Sequence, residues 1–358
     1  MRRGFLSPED PARQFERYPE LAVLDALGQD LPSLLYDPGC RRYLREFPIP
    51  EWPEEQQNPE TLPELRLYYL RLGFVASGYI NQVGQPVETV LPANLAVPLC
   101  RVCRLLRRPP ILSYDGYALY NWKRFRPAGP IALGNIDTIQ NFVHLYDEHW
   151  FILVHVEIEA LAAGLLTAIA RAQAAAAVRD EAEVNRQLRE IAKTVWLQVA
   201  VLKRIPEHMA PALYYRTFRP YIRFFENVVY EGVTKAPLNF RGETGAQSSI
   251  MPTLVAFMKI EHRPTALTDH LADMQNFMPS EHRALIDEVR AGPSVREHAV
   301  RDLYNDVLEA MATFREVHYG WASEYIDRRV RDPRGTGGTP FMKWLKQLID
   351  ETRVHPFP

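Results

Sequence analysis

Cysteine is scarce in this 358-residue chain: Cys40, Cys100 and Cys103 are the only three. That is too few for a disulfide framework in a chain of this size, and it suits a reducing compartment. Cys100 and Cys103 form a C-x-x-C, but Arg104 follows where a thioether-linked cofactor motif needs histidine, and no second pair completes a zinc site. A charge excess is also lacking. The 42 Lys and Arg against 44 Asp and Glu leave a net charge of −2, so no field favours a nucleic-acid partner. After Arg2 and Arg3 there is no apolar run of the kind a signal peptide needs; Pro8, Glu9, Asp10 and Pro11 stand there instead, and export is not expected. The most apolar window, Phe151 to Val178, is interrupted by His155, Glu157, Glu159 and Arg171, so it reads as a helix buried in protein rather than a membrane span. A cytoplasmic location is the expectation.

What is present is an ordinary globular composition, 47% hydrophobic and 24% charged, with enough chain for one or two domains around a sizeable core. Prolines crowd the first third (among them Pro48, Pro50, Pro53, Pro92, Pro98, Pro109 and Pro110), which predicts short helices and irregular connections there. From about Asp137 onward helical periodicity dominates. The chain therefore divides into a small N-terminal capping domain over 1–136 and a larger helical domain over 137–358.

The last long helix carries the most informative single residue. Ser294 and Glu297 form an S-x-x-E capping box after Gly292-Pro293, which predicts the helix start. Leu303, Val307, Met311, Phe314, Trp321 and Tyr325 then recur on one face, and His318 occupies the stripe position between Phe314 and Trp321. An imidazole placed among apolar side chains is either a core histidine satisfied by one carbonyl or the axial ligand of a haem iron. Arg315, one turn earlier, is either a solvated arginine or the cation for a haem propionate.

Seven stretches bear on that choice: VLPANLAVPL (Val90 to Leu99), RPPILSYDGYALYNW (Arg108 to Trp122), VYEGV (Val229 to Val233), TGAQSS (Thr244 to Ser249), MPSEHR (Met278 to Arg283), PSVRE (Pro293 to Glu297) and RGTGGT (Arg334 to Thr339). Together and in this order they resemble the indoleamine 2,3-dioxygenase family across about three quarters of the chain. The resemblance implies an all-α haemoprotein using haem b and O2. It also implies oxidative opening of the pyrrole ring of L-tryptophan, or a close indole derivative, to N-formylkynurenine.

Carried over residue by residue, the resemblance makes His318 the proximal ligand and Arg315 its neighbour at the haem edge. On the distal side Phe151 matches the indole-stacking phenylalanine. His155 stands where animal members carry serine, like the distal histidine of tryptophan 2,3-dioxygenases. An acceptor at that point would orient the indole N–H rather than deprotonate it; the other reading of His155 is a core histidine facing a neighbouring helix. Arg219 falls at the position of the arginine that grips the substrate carboxylate, with Tyr214 replacing a pocket phenylalanine. Arg216, Arg219 and Arg223 also fit one helical face, which could be a solvated stripe, and Pro220 threatens the helix there. Gly242-Glu243-Thr244-Gly245-Ala246 stands where animal members have Gly-Gly-Ser-Ala-Gly, placing Thr244 and Gly245 at the site and a carboxylate where the family has glycine. Tyr114, Tyr117 and Ala118 are expected to line the pocket from the small domain, and Thr336 to approach the substrate ammonium and a haem propionate. Two other classes remain open: a haem enzyme of specialised metabolism acting on a substituted indole, and a non-catalytic haem sensor, in which Arg219 would have no purpose.

Overall fold

The computed structural model describes residues 2–326, 328, 341–355 and 357. Helix dominates, and the fold is all-α as expected. In chain order the helices are α1 (Ala22–Leu34), α2 (Cys40–Glu46), α3 (Leu62–Ile80), α4 (Ala93–Leu105), α5 (Tyr146–Ala177), α6 (Glu181–Leu202), the single turn α7 (Pro211–Leu213), α8 (Ile250–Phe257), α9 (Ala266–Gln275), α10 (Ser280–Ala291), α11 (Arg301–Tyr325) and α12 (Phe341–Arg353). Short strands are β1 (Val90–Leu91), β2 (Lys123–Arg124), β3 (Ile136–Asp137), β4 (Phe225–Tyr230) and β5 (Leu238–Phe240).

The prolines of the first third are less disruptive than their number suggests. Pro63 lies in the first turn of α3, where a missing N–H costs nothing, and Pro98 lies inside α4. Uninterrupted after Pro63, α3 runs 19 residues and is buried almost all round, from Leu65 to Ile80. The expected division at residue 136 falls on β3, which pairs with β2. β1 pairs in parallel with β4, Val90 opposite Val229, so the first third is stitched to the later chain by a sheet that helical periodicity did not predict. β4 forms because Pro220 ends the preceding helical segment and the chain re-enters as Asn-Val-Val-Tyr, β-branched and aromatic.

The larger half is built on α5, 32 residues long, packed antiparallel on α6 through a tight turn in which Arg179 takes a left-handed φ of 57°. Asp180 caps α6, its carboxylate accepting from Glu183 N at 3.0 Å. α5 is long and apolar enough to cross a membrane, but 61% of its most apolar window is buried within the protein. α11 packs along α6, anchored where Trp196 Nε1 donates to Asp306 at 3.0 Å and Trp321 Nε1 to the Leu202 carbonyl at 3.3 Å. α12 lies against α11.

One expectation is corrected here. The capping box at Ser294 and Glu297 does not start the last long helix. Ser294 accepts from Arg296 N at 3.2 Å and only a 3-10 turn, Arg296–His298, follows; α11 begins at Arg301 after Val300, with no side-chain cap. The extended backbone of Ala299 and Val300 separates the two. The apolar stripe does end with the helix at Tyr325. The three cysteines are unpaired, and burial pushes the Cys103 thiol up to about 12, an inert state.

Candidate active site

α5 presents Phe151, His155 and Glu159 at successive spacings of four, one above another on a single face. The His155 Nδ1 lies 2.7 Å from the Phe151 carbonyl oxygen. A carbonyl can only accept, so Nδ1 carries the proton and Nε2 is left as an acceptor. Burial lowers the pKa of His155, keeping the ring neutral, although the bond to Phe151 opposes the shift. From α11, His318 faces the same region. Burial, and secondarily the charge of His155, depress its pKa to about 4. Both rings are half-buried, and they lie near enough for His155 to act on the titration of His318.

This donor set fits the haem that the resemblance implies. His318 is neutral, which is the ligating form, and among the described residues its ring has no hydrogen-bond partner that would occupy its nitrogens. Arg315 does not join it. The Arg315 guanidinium is buried against α12, donating to the Leu348 carbonyl at 2.8 Å and to Thr352 Oγ1, and desolvation pulls its pKa down to about 10. The cation expected at a haem edge is thus engaged with the C-terminal helix, three residues from His318 but directed at α12.

The wall opposite α5 comes from a π-helical segment, Asp115–Leu119. Asp115 is anchored by an ion pair to Arg108 and by the Tyr69 hydroxyl at 3.3 Å. Gly116 is required there, because a Cβ would sit 2.7 Å from the Tyr69 ring. So fixed, Tyr114 sets its ring edge-on to His155 at 5.9 Å and donates its hydroxyl to Glu159 Oε1 at 2.8 Å. Tyr117 stacks on Phe74 at 5.6 Å, lies 6.3 Å from Phe151 and donates to Glu148 Oε1 at 3.1 Å. Ala118 is buried in the same segment.

The third wall follows α7 as a second π-helical turn, Tyr214–Phe218, closed by Arg219 immediately before Pro220. Tyr214 approaches Phe151 at 5.5 Å and Tyr325 of α11 at 5.8 Å. The three arginines do not share an environment: Arg216 is exposed and Arg223 half-buried, whereas Arg219 is buried, hydrogen-bonded to the Tyr214 phenol and 5.1 Å above the Tyr215 ring. The solvated-stripe alternative therefore does not hold for Arg219. The fourth wall is the loop from Gly242 to Ser248. Thr244 caps its 3-10 turn, accepting from Ala246 N at 3.4 Å, and Gly245 faces open space. Thr336 and the glycine-dense loop around it lie outside the described residues.

Sequence reading passed over several members of this site. Glu159 is fully buried, accepts from Tyr114 and, at 2.6 Å, from Ser248 Oγ, and burial raises its pKa to about 7. Its other oxygen, Oε2, has no hydrogen-bond partner among the described residues. Its signal was the spacing of four from His155. Glu148, likewise raised to about 7 by burial, also accepts from the backbone of Phe142 and Val143 at 2.9 Å. Gln247 joins two walls, accepting from Tyr114 N and donating to the Gly242 carbonyl, both at 2.9 Å.

Comparison with known proteins agrees with the resemblance. The family model described as indoleamine 2,3-dioxygenase matches residues 1–333. Indoleamine 2,3-dioxygenase 1 of Rattus norvegicus is 28% identical, covering 91% of this chain and 87% of its own. The indoleamine 2,3-dioxygenase of Saccharomyces cerevisiae is 26% identical over 98% of this chain and 90% of its own. A 6-hydroxytryptophan 2,3-dioxygenase of Fusarium equiseti is 26% identical, with 97% and 94% covered. A match running through the tyrosine segment, the α5 face and His318 alike leaves one conclusion: the chain belongs to the indoleamine 2,3-dioxygenase family.

Proposed function

We propose that this protein is a haem-dependent dioxygenase that opens the indole ring of L-tryptophan, or of a close derivative, to give an N-formylkynurenine. The observation that carries the reading is the pair of half-buried histidines, His155 on α5 and His318 on α11, near enough for the charge of a protonated His155 to act on His318. His318 would hold haem b as its axial ligand, with Tyr114, Ala118 and Gly245 beside it. When bound, the haem supplies dioxygen activation. Everything else is the work of the chain. Phe151 offers a ring face to the indole, and the free Nε2 of His155 accepts the indole N–H, fixing the orientation of the C2–C3 bond. Arg219, preorganised by Tyr214, grips the substrate carboxylate with its planar fork. The aromatic walls exclude water from the reacting face. His155 is given the role of orienting the indole N–H, not of removing its proton.

A ring-hydroxylated tryptophan is the second candidate substrate. One relative is named for 6-hydroxytryptophan, and here the Tyr117–Glu148 pair adds polar atoms behind Phe151. The three unpaired thiols support a reducing, cytoplasmic setting. The deciding experiment is anaerobic reduction of the haem-loaded protein, addition of L-tryptophan and oxygen, and detection of N-formylkynurenine by its absorbance. Haem-loaded protein that makes no ring-opened product from tryptophan or its hydroxylated forms would refute the proposal.

A further inference from the structure

Two hydrogen bonds meet on a single atom one turn beyond His155. Glu159 Oε1 accepts from the Tyr114 hydroxyl at 2.8 Å and from Ser248 Oγ at 2.6 Å, while Oε2 has no hydrogen-bond partner among the described residues. The carboxyl is fully buried, and α5 is held in place from behind it. Gly4, at a left-handed φ of 64°, packs so tightly there that a Cβ would collide with the Glu159 carbonyl oxygen.

Tyr114 is thereby held at both ends by consecutive residues of one loop. Gln247 Oε1 accepts from its backbone nitrogen at 2.9 Å, and Ser248 shares the acceptor of its hydroxyl. The loop is fastened in turn: Ser249 Oγ lies 3.1 Å from His282 Nδ1 on α10, and the Phe5 ring meets the His282 ring edge-on at 4.9 Å. Between these anchors the Tyr114 ring stands edge-on to His155 at 5.9 Å, and the Phe151 ring lies against the same imidazole at 4.6 Å. The χ2 torsion of histidine is soft. The Nδ1 bond to the Phe151 carbonyl decides which nitrogen is free, and the two flanking rings decide how far that nitrogen wanders.

We propose that Glu159 is a positioning residue for substrate recognition: by clasping the Tyr114 hydroxyl and Ser248 on one oxygen, it keeps Tyr114 against His155 and so keeps the acceptor for the indole N–H on its line. This rests on the reading of His155 as that acceptor. Glu159 itself touches neither substrate nor haem in this role; it acts through Tyr114.

The test compares kcat/KM for L-tryptophan and 1-methyl-L-tryptophan in the haem-loaded wild type and in Glu159→Leu, Glu159→Gln and Tyr114→Phe. Amide hydrogen exchange over residues 244–248 is followed in the same preparations. The leucine variant leaves two buried hydroxyls unpaired, so the preference for tryptophan should shrink by about fivefold or more and loop exchange should quicken by about tenfold. Glutamine, whose amide oxygen can accept both hydroxyls, should retain most of the preference. Tyr114→Phe deletes one hydroxyl and leaves α5 intact; it should lower the preference by about threefold or more. A phenylalanine variant that keeps the full preference overturns the proposal, whether or not the leucine variant folds. A leucine variant that slows both substrates equally, or a glutamine variant that fails as completely as leucine, also overturns it. Either failure, with the wild-type preference intact, leaves the acceptor role of His155 standing. A wild type that turns over both substrates alike removes that role, and this proposal with it.

Discussion

His155 donates its Nδ1 proton to the carbonyl of Phe151, the residue one turn earlier on α5, at 2.7 Å. The bond ties the ring expected to orient the substrate to the backbone of the ring expected to stack on it, and it settles which imidazole nitrogen remains to accept. An N-methylated indole leaves that buried acceptor unpaired. Turnover of 1-methyltryptophan should therefore fall below that of tryptophan by about 10- to 100-fold in kcat/KM, and His155→Ala should shrink the ratio toward one. Equal turnover of the two substrates by the wild type would discard the hydrogen-bond role.

His318→Ala should abolish the haem absorbance bands while leaving far-ultraviolet circular dichroism intact. The ring is only half-buried, so its truncation removes a ligand rather than a packing element of α11. Retention of full haem occupancy would remove His318 from the role of axial ligand.

Arg219→Leu should raise KM for tryptophan by about tenfold or more, because a charge-assisted contact is lost, with haem content unchanged. Arg216→Leu, three residues away but exposed, is the control and should change KM by less than about twofold. Similar effects from both would restore the view of these residues as a basic stripe.

Burial raises the carboxyl of Glu159 to about 7 in the folded protein, above its ordinary value of 4.5. Between those values the unfolded chain has released this proton and the folded one has not. The contribution of Glu159 to stability is therefore fully present below about pH 4.5 and is lost as pH rises to about 7. Measured by denaturant unfolding at several pH values, Glu159→Gln should gain on the wild type by about 1.4 kcal/mol per pH unit across that window, then level off. A pH-independent difference would show that Glu159 titrates normally.

Much of this site was legible from residue order. Phe151 and His155 were singled out by the family register of an apolar run, and His318 by interrupting an apolar stripe. Arg219 was singled out by the family pattern, though not by periodicity, which grouped it with two arginines that the fold places elsewhere. What could not be read is what depends on meetings across the chain. Arg315 reads as a partner of His318 because both lie on α11, yet α12 offers it a carbonyl and a hydroxyl that no local pattern announces. Glu159 reads as a charge that spoils a membrane span; only the arrival of Tyr114 and Ser248, from 45 and 89 residues away, makes it part of the site. The capping box failed for the opposite reason: the motif was local and complete, but the chain needed two more extended residues before α11 could begin.

Gln247 grips its neighbours through their main-chain atoms, the nitrogen of Tyr114 and the carbonyl oxygen of Gly242. Neither contact depends on the side chains at 243 or 244. Thr244 in turn caps the short turn that carries Gln247, so the loop lining the site is braced from within by two of its own side chains, one reaching across to the tyrosine segment.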